Sequence, residues 1–506
     1  MWQRVAPVLF LWVGLANGIP GQPKPKAGVE VPSLRAFDEA HQISANLDPD
    51  GQAIVLQLLL ASAKSTDPER VRGWAIELFN VGPKLGPNRE AAQKNALVPL
   101  SSVDPVRAAE LFPLQKTPDP GDSEDNRIFA AEALFPALWS KLHTGSLNQI
   151  ESLASWMGST GEYPYTAIGD LALEVEPVEP AVAQELYSQA VHSFEVGATF
   201  PLTNKTYVEF LLKTRQIPSR TLLRKGVQDA LDAIDKSVPL PSLKGIRIEV
   251  QTKDGTRAFG SEKDYLLARL LPLIREIDES WFASVLKTHP TLKADDAVSE
   301  KEAATAVGAI VQDASTPQHQ VREALDTMQI SRAERMSGQD PKAAFALVNT
   351  ISTPELRDIG MASVLPNYVQ VEPKGALEEA MSIEKRIDRL PPSPAKLQLE
   401  VKMTDALFAF KLNSEATARS RKAIDLGTEL FRESRLSNPH QIAVTTIGFD
   451  ELVDLAQILG HWDPIGDTAQ QIRGIQDGTL RGSMLAFYGR GLAQHETHPP
   501  VTVSNH

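Results

Sequence analysis

The stretch Asp340 to Ile351, DPKAAFALVNTI, decides how the rest of the chain is read. Asp340 is a good N-cap, and Pro341 suits the first helical position, where no N–H is needed. Ala344, Leu347, Val348 and Ile351 then fall on one helical face. The next segment, Ser352 to Pro366, opens with Ser352-Thr353-Pro354-Glu355, the pattern of a capping box. Its Leu356, Ile359 and Val364 make a second stripe. Glu372-Pro373-Lys374 then repeats Asp340-Pro341-Lys342, with Ala376 in the place of Ala344, Leu377 in that of Phe345 and Ile383 in that of Ile351. Recurrence at this interval is the mark of stacked helix pairs.

The same start signal occurs elsewhere. Asp104, Glu179 and Asp340 all obey acid-Pro-x-x-Ala-x-x-Leu: a cap, a first-turn proline, a small residue for close helix contact and a core leucine. Helical stripes fill most of the chain between these points, and Lys301 to Asp313 reads as one more helix. One segment departs from the pattern. Ile246 to Thr252 alternates apolar and polar residues, Asp254-Gly255 is a favoured two-residue turn, and Thr256 to Gly260 can return, so a β-hairpin is expected near 246–260. The fold class read from these signals is all-α: an α-α superhelix, or solenoid of antiparallel helix pairs, with one small β-hairpin insertion. The expected divisions are 34–290 for an N-terminal helical-repeat array, 291–390 for the central repeats, 391–494 for C-terminal helices and 495–506 for a disordered tail.

At 506 residues the chain exceeds one compact core. A net charge of −13, without a Lys/Arg cluster, argues against a nucleic-acid surface. A hydrophobic content of 42 % excludes global disorder. Arg4 precedes the apolar run Val5 to Val13, and Ala16-Asn17-Gly18 offers small residues for cleavage. Residues 1–18 therefore read as a signal peptide and 19–33, with Pro20, Pro23, Pro25 and Pro32, as a Pro-rich linker. Export to the periplasm or beyond is expected, with no transmembrane segment in the mature form. The absence of cysteine removes disulfides and thiolate metal ligands.

Motifs for chemistry are few. His495-Glu496-Thr497-His498 lacks the histidine spacing of a zinc peptidase, and Gly158-Ser159-Thr160-Gly161 lacks that of a nucleophile elbow. The sequon Asn204-Lys205-Thr206 matters only in a glycosylating host. Trp74, Trp139, Trp156, Trp281 and Trp462 lie in helical stretches and read mostly as core, and the acidic pairs Asp38-Glu39 and Asp295-Asp296 as solvated caps. No catalytic, cofactor or metal residue is assigned, and no cofactor is expected.

Arg432-Glu433-Ser434-Arg435-Leu436 resembles the Glu-Ser-Arg that carries the catalytic acid of lytic transglycosylases, although the Gly-Leu-Met-Gln that follows it in that family is missing. In its stacked pairs the chain resembles tetratricopeptide and HEAT arrays, and more generally exported bacterial helical-repeat proteins. Nothing functional carries over from that resemblance, and the leading expectation is a non-catalytic scaffold whose concave face binds a protein or peptide partner. In such arrays the first helix of each pair lines the concave face, which makes Arg107, Gln184, Lys342 and Lys374 the candidate partner-binding residues. The alternative is an α-helical enzyme acting on cell-wall glycan or peptide. Carboxylates or histidines converging in one deep pocket would favour the enzyme, and a shallow groove the scaffold.

Overall fold

The computed structural model describes residues 31–63, 67–119, 125–197, 203–237, 246–252, 255–303, 307–310, 318–438, 443–463 and 468–498. The expected signal peptide and nearly all of the linker lie outside them. The fold is all-α with a small sheet, and no helix among the described residues is long and apolar enough to cross a membrane. The described residues form two compact units, one within 31–81 and 318–498 and the other within 82–310.

The first unit contains α1 (Pro32–Ser44), α2 (Pro49–Ala63) and α3 (Pro68–Val81). The second follows in sequence with α4 (Arg89–Val103), α5 (Pro105–Leu111), α6 (Arg127–Leu142), α7 (Leu147–Thr160), α8 (Tyr165–Val175), α9 (Pro180–Val196), α10 (Thr203–Lys213) and α11 (Arg220–Lys236). Strands β1 (Ile246–Thr252) and β2 (Gly255–Phe259) come next, then α12 (Glu262–Ile277), α13 (Glu279–Thr288), α14 (Glu300–Ala303) and β3 (Val307–Ile310). The chain then returns to the first unit with α15 (Gln318–Ser337), α16 (Pro341–Val348), α17 (Pro354–Tyr368), α18 (Pro373–Ile387), α19 (Pro394–Ala409), α20 (Asn413–Ser437), α21 (Phe449–Trp462), α22 (Thr468–Gly474) and α23 (Gly478–Thr497).

The acid-Pro starts share one backbone conformation. Asp104, Glu179, Asp340 and Glu372 are the N-caps of α5, α9, α16 and α18, with φ between −146° and −137° and ψ between 70° and 82°. The following proline keeps each out of the helical region. The alanines four residues on, Ala108, Ala183, Ala344 and Ala376, are all fully buried. Asp104 and Asp340 also cap with their side chains, accepting from the Arg107 and Ala343 amides.

Ser352-Thr353-Pro354-Glu355 does not close into a capping box. The N-cap Thr353 makes no side-chain cap bond. Asp326 of α15 accepts instead from the Thr353 amide (3.0 Å) and hydroxyl (2.7 Å) and from the Ser352 hydroxyl (3.1 Å). A longer-range carboxylate outcompetes the local glutamate because it satisfies several donors at once, and those bonds favour its ionised form over the opposing effect of desolvation.

In the first unit the last helix is the organising core element. Helix α23 packs against α1, α2 and α21. A Cβ on Gly482 would sit 2.9 Å from Val55 of α2, and one on Gly489 would sit 2.7 Å from the ring of Phe37 of α1, so glycine sets how closely the helices approach. Ser33 donates from its amide (3.1 Å) and hydroxyl (2.7 Å) to the carboxylate of Glu496. Residues 495–497, expected to belong to the tail, are instead the last of α23, which runs to Thr497. The acidic pair Asp38-Glu39 is likewise not a solvated cap: Asp38 accepts two 2.9 Å bonds from Arg70, and Glu39 pairs with Arg473 at 2.9 Å.

In the second unit the hairpin forms with Val250 opposite Arg257. Strand is not confined to it, however. β3 pairs antiparallel with the other edge of β1, Ile248 opposite Gly308, giving the sheet order β2-β1-β3. The expected helix over 301–313 is thus a short α14 followed by a strand. Its alanine-rich sequence favours helix locally, but pairing with the exposed edge of β1 overrides that preference. Val250 and Phe259 are buried, so the hairpin belongs to a core rather than standing as an appendage.

Candidate functional site

Helix α19 places Lys402 and Asp405 one turn apart, and α21 places Asp450, Glu451 and Asp454 on its first two turns. Both helices bury apolar stripes, with Met403, Ala406 and Leu407 on one and Leu452, Val453 and Leu455 on the other. The charged residues occupy the remaining face. Lys402 Nζ lies 3.3 Å from Glu334 Oε1 of α15. Burial acts to lower the Lys402 pKa, but the negative charges of Glu334, Asp454 and Asp405 outweigh it and raise it.

The carboxylates are under strain of the opposite kind. Asp405 accepts a 2.8 Å hydrogen bond from the indole N–H of Trp462, yet burial pushes its carboxyl up against the pull of Trp462 and Lys402. Burial also pushes Asp454 up; Lys402 and Arg490 of α23 oppose the shift, while Asp450 and Glu334 add to it. Asp450 and Glu451 are raised by burial as well, Glu451 further by its two acidic neighbours. Asp450 and Asp454 nevertheless reach solvent. Five carboxylates (Glu334, Asp405, Asp450, Glu451, Asp454) and two cations, Lys402 and Arg490, carried by α15, α19, α21 and α23, thus act on one another as one charged cluster. The Trp462 ring, stacked on Phe408 at an interplanar angle of 4°, flanks Asp405.

A second polar locus lies in the other unit. Arg127 and Asp125 are both almost fully buried and pair at 2.6 Å, with the guanidinium 4.7 Å over the Trp156 ring. Arg127 also donates to Thr160, and Asp125 accepts from the Glu162 amide. Glu90, Gln93, Lys116 and Asn126 line the small polar niche beside it. With its donors and acceptors matched within the protein, the pair ties α6 to the end of α7 and makes a staple rather than a reactive centre.

Of the residues expected to bind a partner, Arg107 and Gln184 belong to the second unit, and Arg107 is engaged by Glu110 at 2.5 Å. Lys342 and Lys374 are exposed on the first turns of α16 and α18 in the first unit. None of the four is among the groups of the charged cluster. Glu433 is exposed on α20 beside Arg432, which pairs with Glu429. His495 bonds to the backbone of α21, and among the described residues no group of three or more histidines, cysteines, aspartates or glutamates could hold a metal ion. Trp74 and Trp139 are buried as expected, whereas Trp156, Trp281 and Trp462 are half-buried. One local sequence signal falls on the cluster: Lys402 and Asp454 each stand between two apolar residues, Val401 and Met403 and Val453 and Leu455. No protein-family model matches the chain, and no curated protein or solved structure was found to be similar to it.

Proposed function

We propose that the protein is a non-catalytic scaffold, and that the charged cluster carried by α15, α19, α21 and α23 takes a lysine- or arginine-bearing segment of a partner protein. One observation carries this reading: five carboxyls act on one another with only Lys402 and Arg490 among them, and Asp450 and Asp454 of the five reach solvent. A poorly hydrated, incompletely paired carboxylate costs free energy, and a cationic side chain supplied from outside removes that cost. The net charge of −13 favours encounter with a basic partner.

Raised carboxyl pKa values are also what a general acid needs, which favours the enzyme acting on glycan or peptide as the second reading. Here Asp405 is tied to Trp462 and Lys402 to Glu334, an arrangement better suited to holding charge than to passing a proton. Fluorescence anisotropy with a labelled Lys/Arg-rich peptide separates the two. The scaffold reading expects binding that weakens steeply with salt and is absent for an acidic peptide of equal length. Hydrolysis of peptidoglycan by the purified protein, without such binding, supports the enzyme. The setting proposed is outside the cytoplasm, on the strength of Val5 to Val13 and Ala16-Asn17-Gly18. A secreted form whose N-terminal sequence starts at Ile19 supports that setting, and an intact Met1 opposes it.

A further inference from the structure

Helices α21 and α23 bring two histidines together where their backbones cross. Nδ1 of His495 lies 2.7 Å from the backbone oxygen of His461. A carbonyl only accepts, so this ring nitrogen carries the proton. The two imidazole centroids are 6.4 Å apart, and the His461 ring meets Trp462 edge-on at 5.2 Å. Nδ1 of His461 is buried and has no hydrogen-bond partner. A neutral imidazole tolerates this by keeping its proton on Nε2. An imidazolium cannot, because it carries N–H on both nitrogens and one of them would face no acceptor. The two backbones are close here: a Cβ on Gly491 would lie 2.8 Å from the His461 amide nitrogen and 2.9 Å from the Gly460 Cα.

We propose that the α21–α23 joint opens in acid, because protonating His461 places an unmatched donor where the two helices pack backbone to backbone. Burial lowers the His461 pKa from its ordinary value, and the charge of His495 lowers it further. Helices α19, α20, α22 and α23 pack on α21 and carry Lys402 and Asp405, Asp425 and Glu429, Arg473, and Arg490, His495 and Glu496 respectively. Of these groups only His495 acts on His461. Asp405 is engaged by Trp462, and Glu496 by Ser33. A base whose folded pKa is lowered binds fewer protons folded than unfolded. The joint is therefore tightest above the ordinary histidine value of about 6.5 and loosens as pH falls below it, by up to about tenfold in its opening equilibrium per pH unit. Since α23 also carries α1 and α2, opening loosens the docking of the N-terminal helices as well.

Hydrogen exchange on the full chain, corrected for intrinsic rates, tests this at about pH 7.5 and about pH 5. The joint amides, 457–462 and 488–494, should exchange roughly tenfold faster relative to α16 at the lower pH, and His461→Asn should abolish the difference. No acceleration in the wild type, or equal acceleration in His461→Asn, overturns the proposal. An NMR titration of His461 decides independently if the variant does not fold: a folded pKa below about 6.5 supports the joint, and one at or above it overturns it.

Discussion

Gly460 of α21 and Gly491 of α23 cross back to back. A Cβ on Gly491 would lie 2.9 Å from the Gly460 Cα and collide with the backbone oxygen of Gln457, while a Cβ on Gly460 would collide with that of Tyr488. The first unit is therefore closed by backbone contact at the point where its last helix meets α21.

Gly491→Ala should destabilise the first unit by about 3 kcal/mol or more, since backbone rather than a flexible side chain must move. Gly73→Ala, on an exposed part of α3 with nothing near its Cβ, should instead gain roughly 0.5–1 kcal/mol. Denaturant midpoints of the two variants check the pair. Similar midpoints would show that the crossing is looser than described.

The helices were legible in the sequence because caps, first-turn prolines and apolar stripes are local signals, and the Pro341–Val348 helix is found where the Asp340 cap and its apolar stripe put it. What was not legible is long-range. Nothing near Phe37 or Val55 says that their partners are Gly489 and Gly482, so the discontinuous unit could not be read from period alone. The same holds for Asp326, whose role depends on Thr353 arriving beside it, and for β3, whose strand state depends on the edge of β1. The candidate site suffered most. Lys402, Asp405 and Asp454 lie on different turns and helices, and their significance is electrostatic proximity rather than spacing.

Arg419 is nearly buried and pairs with the buried Glu400 at 2.9 Å, with Glu384 at 3.1 Å and with Asp388 at 3.4 Å. Arg419→Met should cost about 3–5 kcal/mol because it strands Glu400, and adding Glu400→Leu should recover most of that loss. Thermal melts of the single and double variants read this directly. A double variant no more stable than the single one would mean that the network contributes through more than this pair.

Tyr187 and Tyr207 are fully buried in an aromatic cluster, and neither hydroxyl has a hydrogen-bond partner. Tyr207→Phe should raise stability by about 1 kcal/mol, since an unmatched hydroxyl is removed and the ring stacking on Phe194 is kept. A loss of stability in equilibrium denaturation would show that the hydroxyl is satisfied in solution.

The carboxyls of Asp405, Asp450, Glu451 and Asp454 are raised, so the folded state takes up their protons more readily than the unfolded state. Their contribution opposes folding at neutral pH and fades as pH falls through the folded values towards about 4. Asp454→Asn mimics the protonated form. It should raise the melting temperature at neutral pH and flatten its dependence between about pH 7 and pH 4 in scanning calorimetry. A lower melting temperature would show that Asp454 is stabilised by Lys402 and Arg490 more than it is penalised.

Isothermal titration of a Lys/Arg-rich peptide into the wild type and into Asp450→Asn/Asp454→Asn tests the central claim most directly. The account predicts that the double variant, folded and no less stable, loses at least about tenfold in affinity, a change of about 1.4 kcal/mol. Unchanged affinity in the double variant would contradict it.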